Sequence, residues 1–427
     1  MGDMKEEFLQ YVWANALFRN SEFTALSGKE VNILSVGLQN KDAGADFFNA
    51  RIRIGKVVFA GNVEIHLRNS DWFRHGHHLN PAYDNVILSV VGEADTPIYN
   101  SRGKEVETVI LDYAGGLYDE YMFMQKSERQ PGCRRNLGKI DRERFFLNLQ
   151  ALAVERLERK CGDIRCILEQ TCNDWQECFY RLLCKYWAGN VNAEPFYQLA
   201  LGLPYKILLK HADRTEILEA LLLGSAGLLD AGQEDEYMAG LKQEYRFWQA
   251  KYGLQRLAPE IWKFMRTRPD AFPTVRLALL AAFFYRFTDW VGEVTQAQTL
   301  KEVLTLLDVQ ASSYWDNHYR LGVVSSCRPK RLGDSLKRTI IINAVIPFLF
   351  SYGKEQGNED YCEKALTWLE ELRPEQNYII TDWEACGFQF QTALQTQALI
   401  QLRKEYCDKH RCLKCRIGRD VLKKISC

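Results

Sequence analysis

The sequence predicts an α/β N-terminal domain followed by a large all-α domain. Three observations carry that expectation. Strand-period alternation is confined to residues 31–111, an amphipathic helix precedes it, and a 3.6-residue period takes over from residue 142 onward.

In order, residues 6–18 place Phe8, Tyr11, Val12, Ala14 and Phe18 on one broad helical face. VNILSV at 31–36 is a short apolar strand ended by Gly37. ARIRI at 50–54 alternates and meets Gly55-Lys56, a two-residue link that predicts a tight hairpin into a strand over 57–67. A polar, histidine-rich crossover at 69–85 leads to the apolar strand VILSVV at 86–91, with further strands expected at Ile98-Tyr99 and 108–111. The core order is therefore helix, three strands, crossover, strand.

Helices are expected at 145–160, 178–187, 215–229, 236–251, 275–287, 299–307, 336–352, 359–372 and 388–406. No fixed repeat length joins them. The boundary falls within 124–140, where Pro131-Gly132 and the basic Arg134-Arg135 pair interrupt the pattern, giving domains of 1–125 and 126–427.

At 427 residues the chain is long enough for two or three cores, and 47% hydrophobic with 26% charged residues is ordinary globular composition. Lysine plus arginine equals aspartate plus glutamate at 55 each, so no global field draws the chain to nucleic acid or an anionic membrane. Nucleic-acid contact would rest on local basic patches. The opening MGDMKEEFLQYVW lacks the basic-then-apolar pattern of an export signal, which predicts a cytoplasmic protein whose 13 cysteines stay reduced. The most apolar run, 339–350, contains Asn343 and Pro347 and is too short to span a bilayer, so it is expected to form a buried core helix.

The chemistry concentrates between residues 46 and 85. Glu64 and His66 are two apart on one strand and project from the same face, with Val63 and Ile65 opposite, while Asp46 enters the hairpin partner strand. Two carboxylates and an imidazole near one point suit Mg²⁺ or Mn²⁺ with water positions left open, or a site that shares imidazole. Such an ion offsets the repulsion between phosphate and nucleophile and acidifies bound water, and His66 is placed to take or orient the proton. The plainer alternative is a half-solvated strand with exposed Glu64 and His66 and a turn-capping Asp46.

This arrangement resembles the PD-(D/E)XK nuclease superfamily, whose restriction-endonuclease-like core has the same element order. The resemblance implies that Asp46 and Glu64 bind metal, that the Ile65 backbone carbonyl joins them, and that His66 stands where the superfamily has lysine. A histidine there lacks a permanent charge for the scissile phosphate. A polar residue and a tyrosine on the crossover would correspond to His77 and Tyr83.

The whole chain also resembles an uncharacterised bacterial family with a nuclease-like N-terminal core and a helical remainder. The matching segments are GADF at 44–47, GNVEIH at 61–66, SDWFRHGHH at 70–78, YDNVIL at 83–88, RPDAFPTVRL at 268–277, INAVIPFLFSYG at 342–353 and CLKCRIG at 412–418. Where that family's pattern carries proline and histidine, this chain has Ala45 and Ser89.

Four of seven histidines, His66, His75, His77 and His78, crowd into thirteen residues, a density that favours a polar site. Arg51 and Arg53 share a strand face, with Lys56, Arg68 and Arg74 nearby, and form a candidate phosphate-contacting surface. Residues 403–424 hold nine lysines or arginines against three acids. Within them, Cys407-x4-Cys412-x2-Cys415 is a candidate zinc or iron–sulfur ligand set, with His410, Cys427, Cys386 or Cys327 as the fourth ligand. Metal-free thiols are the alternative.

No Gly-rich phosphate loop, HExxH or G-x-S-x-G motif is present, which disfavours an ATPase, a metalloprotease or an α/β-hydrolase. The expected function is metal-dependent hydrolysis of phosphodiester bonds in nucleic acid. The alternative is a catalytically inactive nuclease-like fold acting as a helical interaction or nucleic-acid-binding protein.

Overall fold

The computed structural model describes residues 4–40, 43–128, 130–230, 235–265 and 267–426. An N-terminal mixed sheet is followed by a large helical part. The chain divides into two compact units, residues 1–148, 381–388 and 402–427 forming one and 149–380 with 389–401 the other.

In the first unit, α1 (Glu6–Ala14) buries Phe8, Leu9, Val12 and Trp13, and Glu6 and Glu7 supply acidic charge to its first turn, where the helix dipole favours it. It ends earlier than its apolar stripe predicts, because Ala16 adopts a left-handed φ of 50°. Trp13 anchors it by donating from Nε1 to the Val36 carbonyl at 3.0 Å.

The sheet contains β1 (Glu22–Thr24), β2 (Glu30–Ser35), β3 (Leu38–Gln39), β4 (Phe47–Ile54), β5 (Val57–Arg68), β6 (Val86–Glu93) and β7 (Thr108–Ile110). Its order is β1-β2-β4-β5-β6-β7, with β3 also paired to β4. The β2, β4 and β5 strands form an antiparallel meander, and Ile54 faces Val57 across the expected Gly55-Lys56 turn. After the crossover β6 runs parallel to β5, with Glu64 opposite Ser89 and His66 opposite Val91. β7 continues the parallel arrangement.

The strand expected at Ile98-Tyr99 is instead one bridge between Tyr99 and Glu105. Pro97 withholds a backbone donor, and the Asp84 carboxylate accepts from the amide and hydroxyl of Ser101, bending this segment into a loop.

Buried residues occur on both faces of β5, since α1 packs against it and so does α2 (Ser70–Arg74) on the crossover. Glu64 and His66 are therefore 5% and 0% exposed, which removes the reading of a half-solvated strand.

The compact units divide the chain differently from the expected 125/126 boundary. Residues 402–427 belong with the sheet-bearing unit rather than with the helices. The helix Arg416–Ser426 packs on α3 (Gly115–Gln125), the Tyr11 hydroxyl donates to the Arg419 carbonyl at 3.4 Å, and Arg144 and Asn148 both bind the Asp420 carboxylate. Arg142–Gln170 and Ala393–Leu402 are helical, as the periodicity predicts for much of each stretch, but helices at Ala193–Gly202, Tyr205–Leu209 and Trp290–Gln296 went unmarked in the sequence.

The second unit is helical apart from a small hairpin, His318–Arg320 with Val323–Val324. The apolar run at 339–350 is buried and helical, with a π-turn at Ile341–Val345. Pro347 has no N–H to give the Asn343 carbonyl, and the buried Lys160 ammonium takes up that carbonyl at 3.4 Å and the Asn343 side-chain oxygen at 3.0 Å. Among the described residues no helix is long and apolar enough to cross a membrane.

Candidate metal centre

The centre lies where the meander meets the crossover. Asp46 precedes β4, and β5 delivers Glu64 and His66 two residues apart. The crossover delivers His75 at the end of α2 and His77 immediately after it. Between them Gly76 adopts a left-handed φ of 76°, reversing the chain so that both imidazoles can turn to one point. Trp72, fully buried, wedges edge-on against the rings of His66 and His77 and donates its indole N–H to the Tyr99 carbonyl at 2.9 Å. Asp71 accepts from the Arg68 amide and pairs with Arg74, fixing the start of α2.

One ring nitrogen from each of His66, His75 and His77 lies within 4.8 Å of the other two. His75 Nδ1 is 3.3 Å from His66 Nε2. Glu64 Oε1 stands 3.2 Å from His77 Nε2 and 3.8 Å from His66 Nε2. His66 and His77 are buried, while His75 is exposed, so the group reaches solvent through His75.

The carboxylates brace each other through the backbone. The Asp46 amide donates to Glu64 Oε2 at 3.0 Å, and the Ile65 amide donates to Asp46 Oδ2 at 3.0 Å. Gln10 on α1 bridges the set, donating to Asp46 Oδ1 at 3.0 Å and to Glu6 Oε1 at 3.2 Å. Each Asp46 oxygen thus has a protein donor, while Glu64 Oε1 faces the imidazoles. Asp46, Glu64, His66 and the Ile65 carbonyl are the expected set; His66, His75 and His77 gather, with Glu64 Oε1 against His66 and His77 and the Asp46 amide bound to Glu64 Oε2.

Burial and then the Glu64 charge lift the Asp46 carboxyl to about 6, and burial followed by Asp46, Glu64 and Asp71 lifts the Glu6 carboxyl to about 7. Burial and the neighbouring His77 and His75 pull His66 down to about 3, so its imidazole is neutral at physiological pH. Among the described residues, buried His66 Nδ1, His77 Nε2 and Ser89 Oγ have no hydrogen-bond partner; the approach of His77 Nε2 to Glu64 lacks hydrogen-bond geometry. Crowded acids that resist ionisation, beside imidazole nitrogens without donors or acceptors, form a group that a cation would complete.

The remaining predicted residues divide. Tyr83 stacks on His77 with ring centroids 3.8 Å apart, and burial and then the Glu64 and Asp46 charges raise its phenol. Arg51 and Arg53 are exposed on β4, and among the described residues no hydrogen bond or ion pair ties them to the centre. His75, Glu6 and Gln10 were missed as site residues. The histidine crowding already pointed to His75, but the distance from α1 to β4 along the chain hides Glu6 and Gln10.

Cys407, Cys412 and Cys415 line one cavity, and the fourth cysteine there is Cys133, which spacing did not suggest. His410, Cys386 and Cys327 do not line it, and Cys427 lies outside the described residues. Among the described residues no disulfide links the cysteines.

Residues 6–378 match a family model described as "Protein of unknown function (DUF2851)". No curated protein and no solved structure matches the chain. Because the match covers most of the sequence, sheet and helices alike, the chain belongs to the DUF2851 family.

Proposed function

We propose that the sheet-bearing unit is a metal-dependent hydrolase with a PD-(D/E)XK nuclease-type core, acting on phosphodiester bonds in nucleic acid. The observation that carries this reading is the convergence of His66, His75 and His77 within 4.8 Å beside the Glu64 carboxylate. The sequence of helix, antiparallel meander, crossover and parallel strand supports it further, being the order the superfamily resemblance implies.

The donor set fits a divalent cation, and its imidazoles favour Mn²⁺ or Zn²⁺ over Mg²⁺, which prefers oxygen ligands. His66, His75, His77 and Glu64 Oε1 would hold it. When bound, such an ion lowers the pKa of water and offsets phosphate charge.

The protein's own groups divide the remaining work. Neutral His66 offers a lone pair and does not replace the fixed charge of a lysine. Arg74, exposed beside the centre and felt electrostatically by His66 and Glu6, is suited to a phosphate oxygen. Asp46, with its carboxyl raised to about 6, is able to accept a proton near neutrality. Exposed His75 marks the side from which substrate reaches the centre.

The test is incubation of the full chain with single- and double-stranded DNA and RNA in Mn²⁺, Zn²⁺ or Mg²⁺, alongside Glu64→Gln and His77→Ala. Cleavage is expected with Mn²⁺ or Zn²⁺ and should fall on the order of 100-fold or more in both variants, the scale of losing transition-state charge stabilisation. Absence of cleavage in every metal, or cleavage unaffected by both substitutions, overturns the reading.

A further inference from the structure

The second concentration of metal-ligating side chains is independent of the imidazole centre. Cys133 sits before the short helix Arg134–Lys139, and Cys407, Cys412 and Cys415 sit far along the chain, yet all four line one cavity. Met124, Trp383 and Ile417 supply apolar walls.

The local backbone is built around these sulfurs. Cys407 closes a π-helical turn, Arg403–Cys407, a widened geometry frequent at functional sites. The Gly418 amide donates to Cys415 Sγ at 3.4 Å from the first turn of the helix Arg416–Ser426. That amide, with the positive end of the helix behind it, favours a thiolate. Two glycines let the backbone close in. A Cβ at Gly418 would stand 2.5 Å from the Cys412 carbonyl oxygen, and one at Gly132 would stand 2.6 Å from the Met124 carbonyl oxygen. Any side chain at either position would push a cysteine-bearing segment away.

The spacing separates two kinds of occupant. A single tetrahedral zinc with Zn–S bonds of ~2.3 Å requires sulfurs ~3.8 Å apart. Among the described residues, no three of these sulfurs all lie within 4.8 Å of one another. In a four-iron cluster each thiolate binds its own iron at a corner, so the sulfurs stand wider while still facing a common centre. A cavity with apolar walls and a backbone N–H aimed at sulfur suits such a cluster.

We propose that Cys133, Cys407, Cys412 and Cys415 ligate a [4Fe–4S] cluster. The cluster's irons supply the positive charge that four converging thiolates require, and the cluster joins the segment after α3 to the C-terminal segment within the sheet-bearing unit. This site does not depend on the hydrolase reading.

The full chain, purified anaerobically from iron-replete cells, is expected to carry about four irons and about four acid-labile sulfides. Its broad visible absorption should bleach on reduction with dithionite. Cys133→Ser and Cys412→Ser are expected to lose the iron, whereas Cys386→Ser, a half-buried thiol outside the cavity, retains it. About one zinc per chain without sulfide overturns the proposal, as do a metal-free folded protein and a Cys133→Ser variant with full iron content. If the variants precipitate, iron and sulfide content of the unmodified chain, with its Mössbauer spectrum, decides the matter alone.

Discussion

Two buried glutamates receive opposite treatment in the two units. In the helical unit, Glu219 is fully buried and accepts hydrogen bonds from the Tyr237 hydroxyl, from the Ser312 hydroxyl at 2.8 Å and from the Trp315 indole at 3.0 Å. In the sheet-bearing unit, Glu64 is almost as buried, but among the described residues its one hydrogen bond comes from the Asp46 amide, and its second oxygen faces imidazoles. Burial pushes the Glu219 carboxyl up, and three protein donors pull against that rise. Around Glu64 stand the His66 and His77 imidazoles and the Asp46 carboxyl. A buried carboxylate surrounded by donors holds a fold together; one left facing imidazole nitrogens would, on the proposed reading, hold a cation.

The largest expected effect breaks this comparison at its structural end. Glu219→Ala leaves the Tyr237 and Trp315 donors buried without an acceptor, and should cost about 3 kcal/mol in chemical denaturation. Glu64→Ala in metal-free protein should cost much less, because it strands one amide and relieves acid repulsion. Mn²⁺ binding, followed by calorimetry, should vanish in Glu64→Ala and persist in Glu219→Ala. Equal destabilisation by the two substitutions would make Glu64 another structural carboxylate.

An intermediate effect concerns pH. The Glu6 carboxyl is raised from 4.5 to about 7, chiefly by burial and then by Asp46 and Glu64. The folded chain therefore holds this proton more tightly than the unfolded one. The resulting stability is complete below 4.5 and disappears as pH rises through about 7. Relative to Glu6→Gln, the metal-free protein should lose Tm across that window, and Mn²⁺ should shrink the loss by neutralising the acids. A Tm difference that stays flat with pH would separate Glu6 from the acidic group.

The smallest effect sharpens the role of the exposed β4 surface. If Arg51 and Arg53 contact a nucleic-acid backbone, each Arg→Ala change should weaken binding uniformly across sequences and reduce the salt slope by about one ion. An unchanged slope in fluorescence anisotropy titrations would exclude them from the interface.

Much of the sheet was legible because strand alternation is a local signal. The meander at 31–67, the Gly55-Lys56 turn and the strand at 86–91 all depend on neighbours within a few residues. β1 and β3, at three and two residues, are too short to show a period, and their pairing comes from the strands beside them. The candidate centre was legible in part. Glu64 and His66 could be placed together because residues two apart share a strand face, and the crowding of His75 and His77 was visible in the chain. What spacing could not tell was that both faces of β5 are covered, so that these groups are buried. The cysteine-lined cavity shows the same limit, since the cysteine spacing at 407–415 is local while Cys133 reaches it only through folding.

The sequence alone determined the kinds of element, the switch from strand to helical period, and the donors available for a metal, because these follow from residue type and short-range periodicity. Only the tertiary structure decided which donors meet. It joined Asp46 to Glu64 through the Asp46 and Ile65 backbone amides, turned His75 and His77 toward His66 through Gly76, and brought Cys133 to the C-terminal thiols. Such convergence arises from packing between segments remote in the chain, and local propensity carries no record of it.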